Sequence, residues 1–268
     1  MIRKIGFIGC GKMAQAMIAG MIRSEMVPAA SIIVSSKTAA TREKVALQYG
    51  AKTVPSNKEV AQQANILFLG VTPNLHQEII EEVRDLIAED VIIVTIAAGL
   101  TTEDISTMFN KNIKVVRTMP NTPSLVGEGM SAMCANDRVT EEELCEIKKL
   151  FGSFGEVEII SEALMDSIPS ISGSSPAYVY MMIEAMADGG VKQGLKRDQA
   201  YRLAAQAVLG AAKMVLDTEL HPGTLKDQVC SPGGATIAAV SRLEEERFRG
   251  AILSAMESCT AKVKELGK

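Results

Sequence analysis

A glycine-rich turn near the start of the sequence has the spacing that dinucleotide-binding proteins use. Gly9, Gly11 and Ala14 fit the pattern G-x-G-x-x-G/A. In that pattern the first glycine permits a tight turn, the second lets a pyrophosphate approach the backbone, and the small third residue lets helix pack closely on strand. The helix that follows would direct its free N–H groups at the phosphates. The turn therefore predicts dinucleotide binding, and an ordinary strand-turn-helix connection is the alternative.

The residues on either side of this turn have the patterns of the two elements that must position it. Ile5, Phe7 and Ile8 form a short apolar run, typical of a parallel strand that is covered on both faces. After the turn, apolar residues recur at helical spacing at positions 14, 17, 18, 21 and 22. The sequence therefore predicts a buried strand, the glycine turn and a helix in direct succession.

The end of the second predicted strand, residues 31–36, is where such a fold selects its cofactor. An acidic residue is expected there for NAD, whereas this sequence has Ser35, Ser36 and Lys37, followed by Arg42. Hydroxyls and positive charge suit a ribose 2′-phosphate, and no carboxylate is present to repel it. This stretch favours NADPH, with NADH as the weaker cofactor. The alternative is that Lys37 and Arg42 are solvated charges at the start of a helix.

Strands and helices alternate through residues 1–162. Further strands are predicted at residues 64–71, 91–96, 113–117 and 157–160, with another after residue 128, and helices at residues 75–88, 101–109 and 141–151. This alternation predicts an α/β domain with a parallel, doubly wound Rossmann-type sheet. Ligands of such sheets bind beyond the carboxyl ends of the strands, so the loops at 71–73, 97–99 and 119–123 are candidates for the cofactor cleft. The small residues at 97–99 would let a nicotinamide lie against the backbone, although they are also ordinary turn residues.

Residues 163–268 have an almost entirely helical pattern. Ser174-Ser175-Pro176 resembles a helix start, and further helices are predicted at 197–217 and 247–266. Their faces are rich in methionine and alanine and are too apolar to stand alone in water, so we expect a second subunit to cover them. Burial against the nucleotide domain is the alternative.

A second glycine turn, Ser231-Pro232-Gly233-Gly234, precedes another predicted helix. The free N–H groups of Gly234, Ala235 and Thr236, with the positive end of the helix dipole, would form a receptor for a small anion such as a carboxylate. The hydroxyl of Thr236 can both donate and accept a hydrogen bond. The turn predicts a substrate site, and a capped helix with a glycine turn is the alternative.

The composition restricts the class of protein and its partners. The chain has 268 residues, 47% of them hydrophobic, with a net charge of −4 and an isoelectric point near 5.4. We therefore expect one large or two modest globular domains and small ligands, with neither nucleic acid nor a membrane as partner. No apolar run is long enough to cross a bilayer, and the first strand begins too early to leave room for a signal peptide, which favours the cytoplasm.

The sequence has few side chains suited to disulfide formation, metal binding or hydrolysis. The five cysteines are scattered without a C-x-x-C pair, so we expect reduced thiols and no zinc site. His76 and His221 are isolated from each other, and we expect neither to act as a catalytic base. Because no histidine pair, metal-ligand spacing or G-x-S-x-G motif is present, hydrolytic and metal-dependent chemistry are disfavoured.

Several segments together resemble the pyrroline-5-carboxylate reductase family, in the family's order and over nearly the whole chain. They are IGFIGCGKMA (residues 5–14), RTMPNTP (117–123), PAY (176–178), EAMADGGV (184–191), LAAQ (203–206) and the stretch from LKD (225–227) to Thr236. The glycine turn is shared with many dehydrogenases, whereas the last two segments are specific. The resemblance implies a nucleotide-binding domain, a helical dimerisation domain and reduction of 1-pyrroline-5-carboxylate to proline with NAD(P)H. It leaves room for a larger ring of dimers.

The resemblance also implies which residues contact each ligand. The substrate carboxylate would be held by the amides from Gly234 to Thr236, with the Thr236 hydroxyl on the ring nitrogen and a further contact from Glu219. Asn121 would lie beside the nicotinamide and the substrate. The implied cofactor contacts are Gly11, Lys12, Met13, Ser35, Asn57, Val71, Pro73 and Ala97. The glycine turn and the loop at 71–73 add Gly9 and Thr72 as candidates.

Two residues depart from the family pattern. Thr72 stands where the family usually has lysine before proline, so the polar cofactor contact of that lysine is not carried over. Ser175 replaces a common glycine before Pro176, at the entrance of the active site.

Two functions other than imine reduction are the alternatives. A 3-hydroxyacid dehydrogenase of related architecture needs a lysine early in the long helix, whereas Lys192 lies at its far end. A non-enzymatic NADP(H) sensor would bind cofactor without turnover.

Overall fold

The computed structural model describes residues 3–266. One compact unit comprises the chain through Ser174 together with the segment from Cys259, and the other comprises Ser175–Ser258. The boundary that we predicted, between residues 162 and 163, lies within the first unit, ahead of the helix that begins at Ser175.

Within the described residues, the first unit contains one sheet of eight strands. They are β1 (Ile5–Ile8), β2 (Ile32–Ser35), β3 (Lys52–Val54), β4 (Ile66–Leu69), β5 (Ile92–Thr95), β6 (Lys114–Met119), β7 (Gly129–Ala135) and β8 (Gly155–Ile159). Their order is β3-β2-β1-β4-β5-β6-β7-β8. The chain moves outward from β1 in one direction to β3 and in the other from β4 onward, so the topological switch point lies between β1 and β4.

The central strands are buried on both faces, as their continuous apolar runs predict. Every residue of β1, β2, β4 and β5 is buried. Phe7 of β1 and Phe68 of β4 stack with ring centroids 4.5 Å apart, and Phe151 from a covering helix lies 6.0 Å from Phe68. The prediction of a doubly wound α/β sheet is confirmed.

Two strands, β7 and β8, run opposite to the other six and depart from the prediction of a parallel sheet. β7 pairs antiparallel with β6, with Met119 opposite Ala132, and the other strand pairs are parallel. A parallel pair needs a long crossover, usually a helix. The connection of residues 120–128 contains only a short 3₁₀ turn, Thr122–Val126, so the chain reverses direction.

Six helices of the first unit cover the sheet: α1 (Lys12–Arg23), α2 (Ala39–Tyr49), α3 (Asn57–Gln63), α4 (His76–Val83), α5 (Thr102–Phe109) and α6 (Glu141–Gly152). The predictions for α5 and α6 are confirmed. The prediction of a helix over 75–88 was too long, because the backbone N–H of Leu86 bonds to the carbonyl of Val83 in a tighter turn. The short elements β3 and α3 were not predicted.

A buried arginine fixes the end of the nucleotide domain to the sheet. Arg117 on β6 is 1% exposed, and its guanidinium lies 2.5 Å from Asp166 and 3.6 Å from Glu162. Glu162 also accepts hydrogen bonds from the backbone N–H and the hydroxyl of Thr102, both at 2.7 Å. The segment after β8 is therefore held against β6 and the start of α5, and a π-helical turn, Pro169–Gly173, follows it.

The second unit is helical, as predicted. Its helices are α7 (Ser175–Lys192), α8 (Arg197–Thr218), α9 (Pro222–Val229), α10 (Ala235–Glu245) and α11 (Phe248–Leu266), the last of which continues into the first unit. Small residues let α7 and α8 approach closely: Ala187, Ala200 and Ala204 are buried, and a Cβ on Gly190 would lie 3.2 Å from that of Ala200.

Candidate functional site

The first glycine turn lies at the topological switch point, where neighbouring backbones approach too closely for side chains. Gly9 has φ +87°, and a Cβ there would lie 2.6 Å from Val71 and 2.8 Å from the carbonyl oxygen of Gly70. A Cβ on Gly70 would in turn lie 2.6 Å from the carbonyl oxygen of Gly9. The first glycine is therefore required both by its backbone conformation and by the packing of β1 against β4.

The second glycine leaves the start of α1 open. Gly11 is the N-cap, provides no side-chain acceptor, and has no atom within 4 Å of the position that a Cβ would take. The N–H groups of Lys12 and Met13 belong to the first helical turn, where no intrahelical carbonyl is available to them. The turn can therefore receive an anion at the positive end of the helix dipole.

The thiol inside this turn is not a nucleophile. Burial raises the pKa of Cys10 to about 11, and the charge of Lys44 only partly offsets that rise. The thiol is therefore protonated at neutral pH, and the turn is suited to binding rather than covalent chemistry.

The residues predicted to select NADPH over NADH lie together at the end of β2, and several of them are bonded to other protein groups. Ser35 is buried and donates to Asn57 at 2.7 Å, and the Asn57 amide donates to Glu82 at 2.8 Å. Glu82 was not predicted, because nothing near it in sequence places α4 beside α3. The Asn57 side chain is thereby oriented from both sides.

Arg42 has a supporting position in this cluster. Its guanidinium donates to the carbonyl oxygens of Ser36 and Lys37 at 2.6 and 3.3 Å. Arg42 therefore fixes the backbone of the loop after β2. Lys37 itself is exposed. We predicted Arg42 as a source of positive charge for a phosphate, and the structure adds a role in fixing the backbone that carries Ser36 and Lys37.

The loops after β4 and β5 lie beside the first glycine turn. Val71 and Pro73 are half-buried, Thr72 is exposed with its hydroxyl donating to Asn74 at 2.6 Å, and Ala97 is buried. Since β1, β4 and β5 are parallel neighbours, these loops meet at one edge of the sheet. The structure thus brings the predicted cofactor residues together.

Asn121 has a structural role that the sequence did not reveal. Its amide N–H donates to the carbonyl of Ser172 at 3.0 Å, and its amide oxygen accepts the backbone N–H of Met130 at 2.9 Å. The side chain is 7% exposed. Asn121 therefore ties its loop to β7 and to the π-helical turn, and only its remaining N–H and lone pair are available to a ligand.

The second glycine turn, in the helical unit, also precedes a helix whose first N–H groups have no side-chain cap. Gly233 has φ +71°, the N–H of Gly234 donates to Ser231 at 3.0 Å, and Gly234 is the N-cap of α10 without a side-chain cap. A Cβ on Gly234 would lie 2.4 Å from the Ser231 hydroxyl. The first-turn N–H groups of Ala235 and Thr236 are therefore directed at the space before the helix.

Thr236 and Glu219 lie in the same unit as this turn. Thr236 is half-buried, and within residues 3–266 the structure shows no hydrogen bond of its hydroxyl. Glu219 ends α8 in the left-handed conformation, with φ +55°, and is exposed. The left-handed conformation is usual for the residue that ends a helix, and it costs a non-glycine residue of order 1 kcal/mol.

His221 lies in the turn immediately before α9. Its ring nitrogen Nδ1 accepts the backbone N–H of Gly223 at 3.0 Å and caps α9. The cysteines are free thiols. Among residues 3–266, no group of three His, Cys, Asp or Glu side chains is placed to hold a metal ion, and no helix is long and apolar enough to span a membrane.

Comparison with known families gives two matches. A family model described as pyrroline-5-carboxylate reductase dimerisation matches residues 162–266, and one described as NADP oxidoreductase, coenzyme F420-dependent, matches residues 4–99. The pyrroline-5-carboxylate reductase of Escherichia coli strain K12 is 45% identical and covers 100% of both chains. That of Glycine max is 40% identical, covering 98% of this chain and 95% of its own.

Solved structures agree with these sequence relationships. A pyrroline-5-carboxylate reductase from Coxiella burnetii superimposes with a TM-score of 0.92 at 31% identity, covering 100% of each chain. A Plasmodium falciparum pyrroline carboxylate reductase with NADP bound gives 0.89 at 30% identity, covering 99% of this chain and 98% of its own. A Mycobacterium tuberculosis 3-hydroxyisobutyrate dehydrogenase gives 0.52 at 12% identity over 73% of this chain and 67% of its own, which shows a shared fold alone. From these relationships, and from the two open helix starts, it follows that the chain belongs to the pyrroline-5-carboxylate reductase family.

Proposed function

We propose that this chain reduces 1-pyrroline-5-carboxylate to L-proline with NADPH, the last step of proline biosynthesis. Membership of the family makes it an NAD(P)H-dependent oxidoreductase. The observation that carries the more specific proposal is a pair of helix starts, α1 and α10, each preceded by a glycine N-cap that offers no side-chain acceptor. Two anions, a pyrophosphate and a carboxylate, are the ligands that these starts suit.

The residues of the nucleotide domain fit the cofactor. The open space over Gly11 admits a pyrophosphate to the N–H groups of Lys12 and Met13, and the buried Ala97 leaves a small, apolar surface beyond β5. NADPH bound there would supply the hydride. The protein groups at this edge would bind and orient the cofactor.

The residues of the helical unit suit an imine acid. The N–H groups of Ala235 and Thr236 would hold the substrate carboxylate, while the Thr236 hydroxyl would contact the ring nitrogen. The N–H of Gly234, which we also predicted for the carboxylate, donates instead to the carbonyl of Ser231. Protonation of that nitrogen makes the adjacent carbon electrophilic, so the protein mainly has to position two reactants. This explains why the chain needs no acid-base pair like that of a hydrolase. We assign to Glu219 a further contact with the substrate.

The test of this reaction is the loss of NADPH absorbance with a panel of pyrroline- and piperideine-carboxylates. We expect the five-membered 5-carboxylate to be the best substrate. Turnover of a 3-hydroxyacid with NADP, or cofactor binding without any turnover, would instead support the dehydrogenase or the sensor. The structure gives the dehydrogenase no support, because α7 begins with Ser175-Pro176 and carries its lysine, Lys192, at the opposite end.

We expect NADPH to be preferred to NADH by roughly tenfold to a hundredfold in kcat/KM. Charge-assisted hydrogen bonds from Ser36 and Lys37 to a phosphate contribute about 1.5–3 kcal/mol, and each 1.4 kcal/mol corresponds to about tenfold. The Ser35 hydroxyl, which we also predicted as a donor, is buried and donates its proton to Asn57 instead. Lys37→Ala should lower the preference by raising KM for NADPH alone. Lys52→Ala, which removes an exposed lysine of β3, is the control. Equal kcat/KM for the two cofactors in the wild-type chain would contradict this assignment.

We infer that the chain is a homodimer through its helical unit and that dimers could assemble further into a ring. Large apolar side chains of this unit are exposed in the single chain, among them Met181, Leu203, Leu209, Leu216 and Leu253. Light scattering at assay concentration should give at least twice the mass of one chain. An active monomer would refute the inference.

The cytoplasm remains the predicted compartment, and the net charge of −4 remains the reason to expect no nucleic-acid partner.

A further inference from the structure

A buried histidine lies between the two loops that we assign to the cofactor, and the proposed chemistry does not use it. His76 is the first residue of α4 and is 0% exposed. The loop after β4 immediately precedes it, and Thr95, the last residue of β5, faces its other edge. His76 is therefore an ionisable side chain buried in the core between these two loops.

Both ring nitrogens of His76 are engaged. Nδ1 lies 3.1 Å from the carbonyl oxygen of Thr72, and Nε2 lies 3.3 Å from the hydroxyl of Thr95. The Thr95 hydroxyl also accepts the backbone N–H of Ala97 at 3.2 Å. A continuous chain of hydrogen bonds thus runs from Thr72 through His76 and Thr95 to Ala97.

The partners determine which nitrogen carries the proton. A carbonyl oxygen can only accept, so Nδ1 must donate to Thr72, and in the neutral ring Nε2 must then accept. The Thr95 hydroxyl satisfies it, because it donates to Nε2 while it accepts from Ala97. Burial lowers the pKa of His76, and the bond to Thr72 opposes that shift without reversing it, so the neutral ring is the form present at pH 7.

We propose that His76 is a positioning residue for the cofactor, whose neutral ring fixes the loop of Thr72 and Pro73 relative to the backbone of Ala97. Both ends of the chain of hydrogen bonds are residues that we assign to the cofactor cleft. A shift of either loop would break a bond inside the core, where an unpaired polar group is costly. The inference rests on the proposed function only through this assignment of the two loops to NADPH.

The alternative is that His76 merely fills space in the core. The two roles differ in what they predict for a side chain of similar volume without polar atoms. A space-filling role predicts that His76→Leu changes stability alone. A positioning role predicts that the same substitution weakens NADPH binding and that a residue able to restore one of the two bonds recovers part of the loss.

The experiment measures the dissociation constant of NADPH, by quenching of its fluorescence, for His76→Leu, His76→Asn, Thr95→Val and the double variant His76→Leu/Thr95→Val. We expect His76→Leu and Thr95→Val each to raise it by about tenfold, and the double variant to do little more, because both remove the same connection. His76→Asn, whose amide can still donate to Thr72, should recover part of the affinity. KM for NADPH should follow these changes, whereas kcat at saturating substrate should stay within about threefold of wild type.

Val83→Ala is the matched control, because Val83 lies on the same helix, is 0% exposed and belongs to the core. It should lower the melting temperature and leave the dissociation constant of NADPH unchanged. An unchanged dissociation constant in Thr95→Val would overturn the proposal, even if His76→Leu does not fold. Additive losses in the double variant would overturn it as well. A wild-type chain that binds NADPH but reduces no imine acid would refute the proposed reaction, while the ratios of dissociation constants would still decide the role of His76.

Discussion

Gly11→Ala is expected to weaken NADPH binding by roughly tenfold to a hundredfold without lowering the melting temperature. The added methyl group meets no protein atom within 4 Å, and φ at this residue is −72°, which alanine adopts freely. It would instead occupy the space through which the pyrophosphate approaches the N–H groups of α1. The loss of one or two charge-assisted hydrogen bonds, each contributing about 1.5–3 kcal/mol, gives the expected range.

Gly9→Ala provides the informative contrast. Here the methyl group would clash with Val71 and with the carbonyl of Gly70, in a backbone conformation that costs an L-residue about 1–2 kcal/mol. This variant should lose both stability and NADPH binding. Gly152→Ala, at the end of α6 where a Cβ also meets nothing within 4 Å, should leave NADPH binding unchanged and should not lower the melting temperature. If Gly11→Ala bound NADPH as tightly as wild type, the first glycine turn would be an ordinary connection between strand and helix.

The parts of the fold that the sequence predicts well are those in which local pattern and burial coincide. β1 and β4 are continuous apolar runs because they are covered on both faces, and α5 and α6 begin at threonines that form capping boxes. The direction of β7 could not be predicted in this way. It depends on the length and turn structure of the connection from β6, whereas the strand pattern itself is the same in either direction.

The parts of the candidate site that could not be predicted depend on contacts between residues distant in sequence. Asn57 is oriented by Glu82, and His76 bridges Thr72 to Thr95, although no motif relates these positions. Nothing about an isolated histidine distinguishes a surface turn from a buried bridge, and the chain contains one of each. Glycine spacing predicts where backbone is open to a ligand, but the side chains that hold that backbone become evident only in the folded chain.

At Thr236 the backbone N–H and the side-chain hydroxyl have different expected roles. Its backbone N–H belongs to the open start of α10, and the structure shows no hydrogen bond of its hydroxyl within residues 3–266. Thr236→Ala retains the N–H groups that would hold the carboxylate and removes only the hydroxyl. We expect kcat/KM to fall by roughly tenfold to a hundredfold, corresponding to about 1–3 kcal/mol for one hydrogen bond in a desolvated site, while NADPH binding and the melting temperature are unchanged.

Two further variants separate this role from helix capping. Thr236→Ser restores the hydroxyl and should recover most of the activity. Thr140→Ala removes a threonine whose hydroxyl does cap a helix, accepting the N–H of Glu143 at 3.2 Å, and should lower stability by about 1 kcal/mol without a selective loss of turnover. If Thr236→Ala behaved like Thr140→Ala, with a lower melting temperature and an unchanged kcat/KM, then Thr236 would be a structural residue. The ring nitrogen of the substrate would have to be contacted by another group, for which the exposed carboxylate of Glu219, held in a left-handed backbone conformation in the same unit, is the next residue to test.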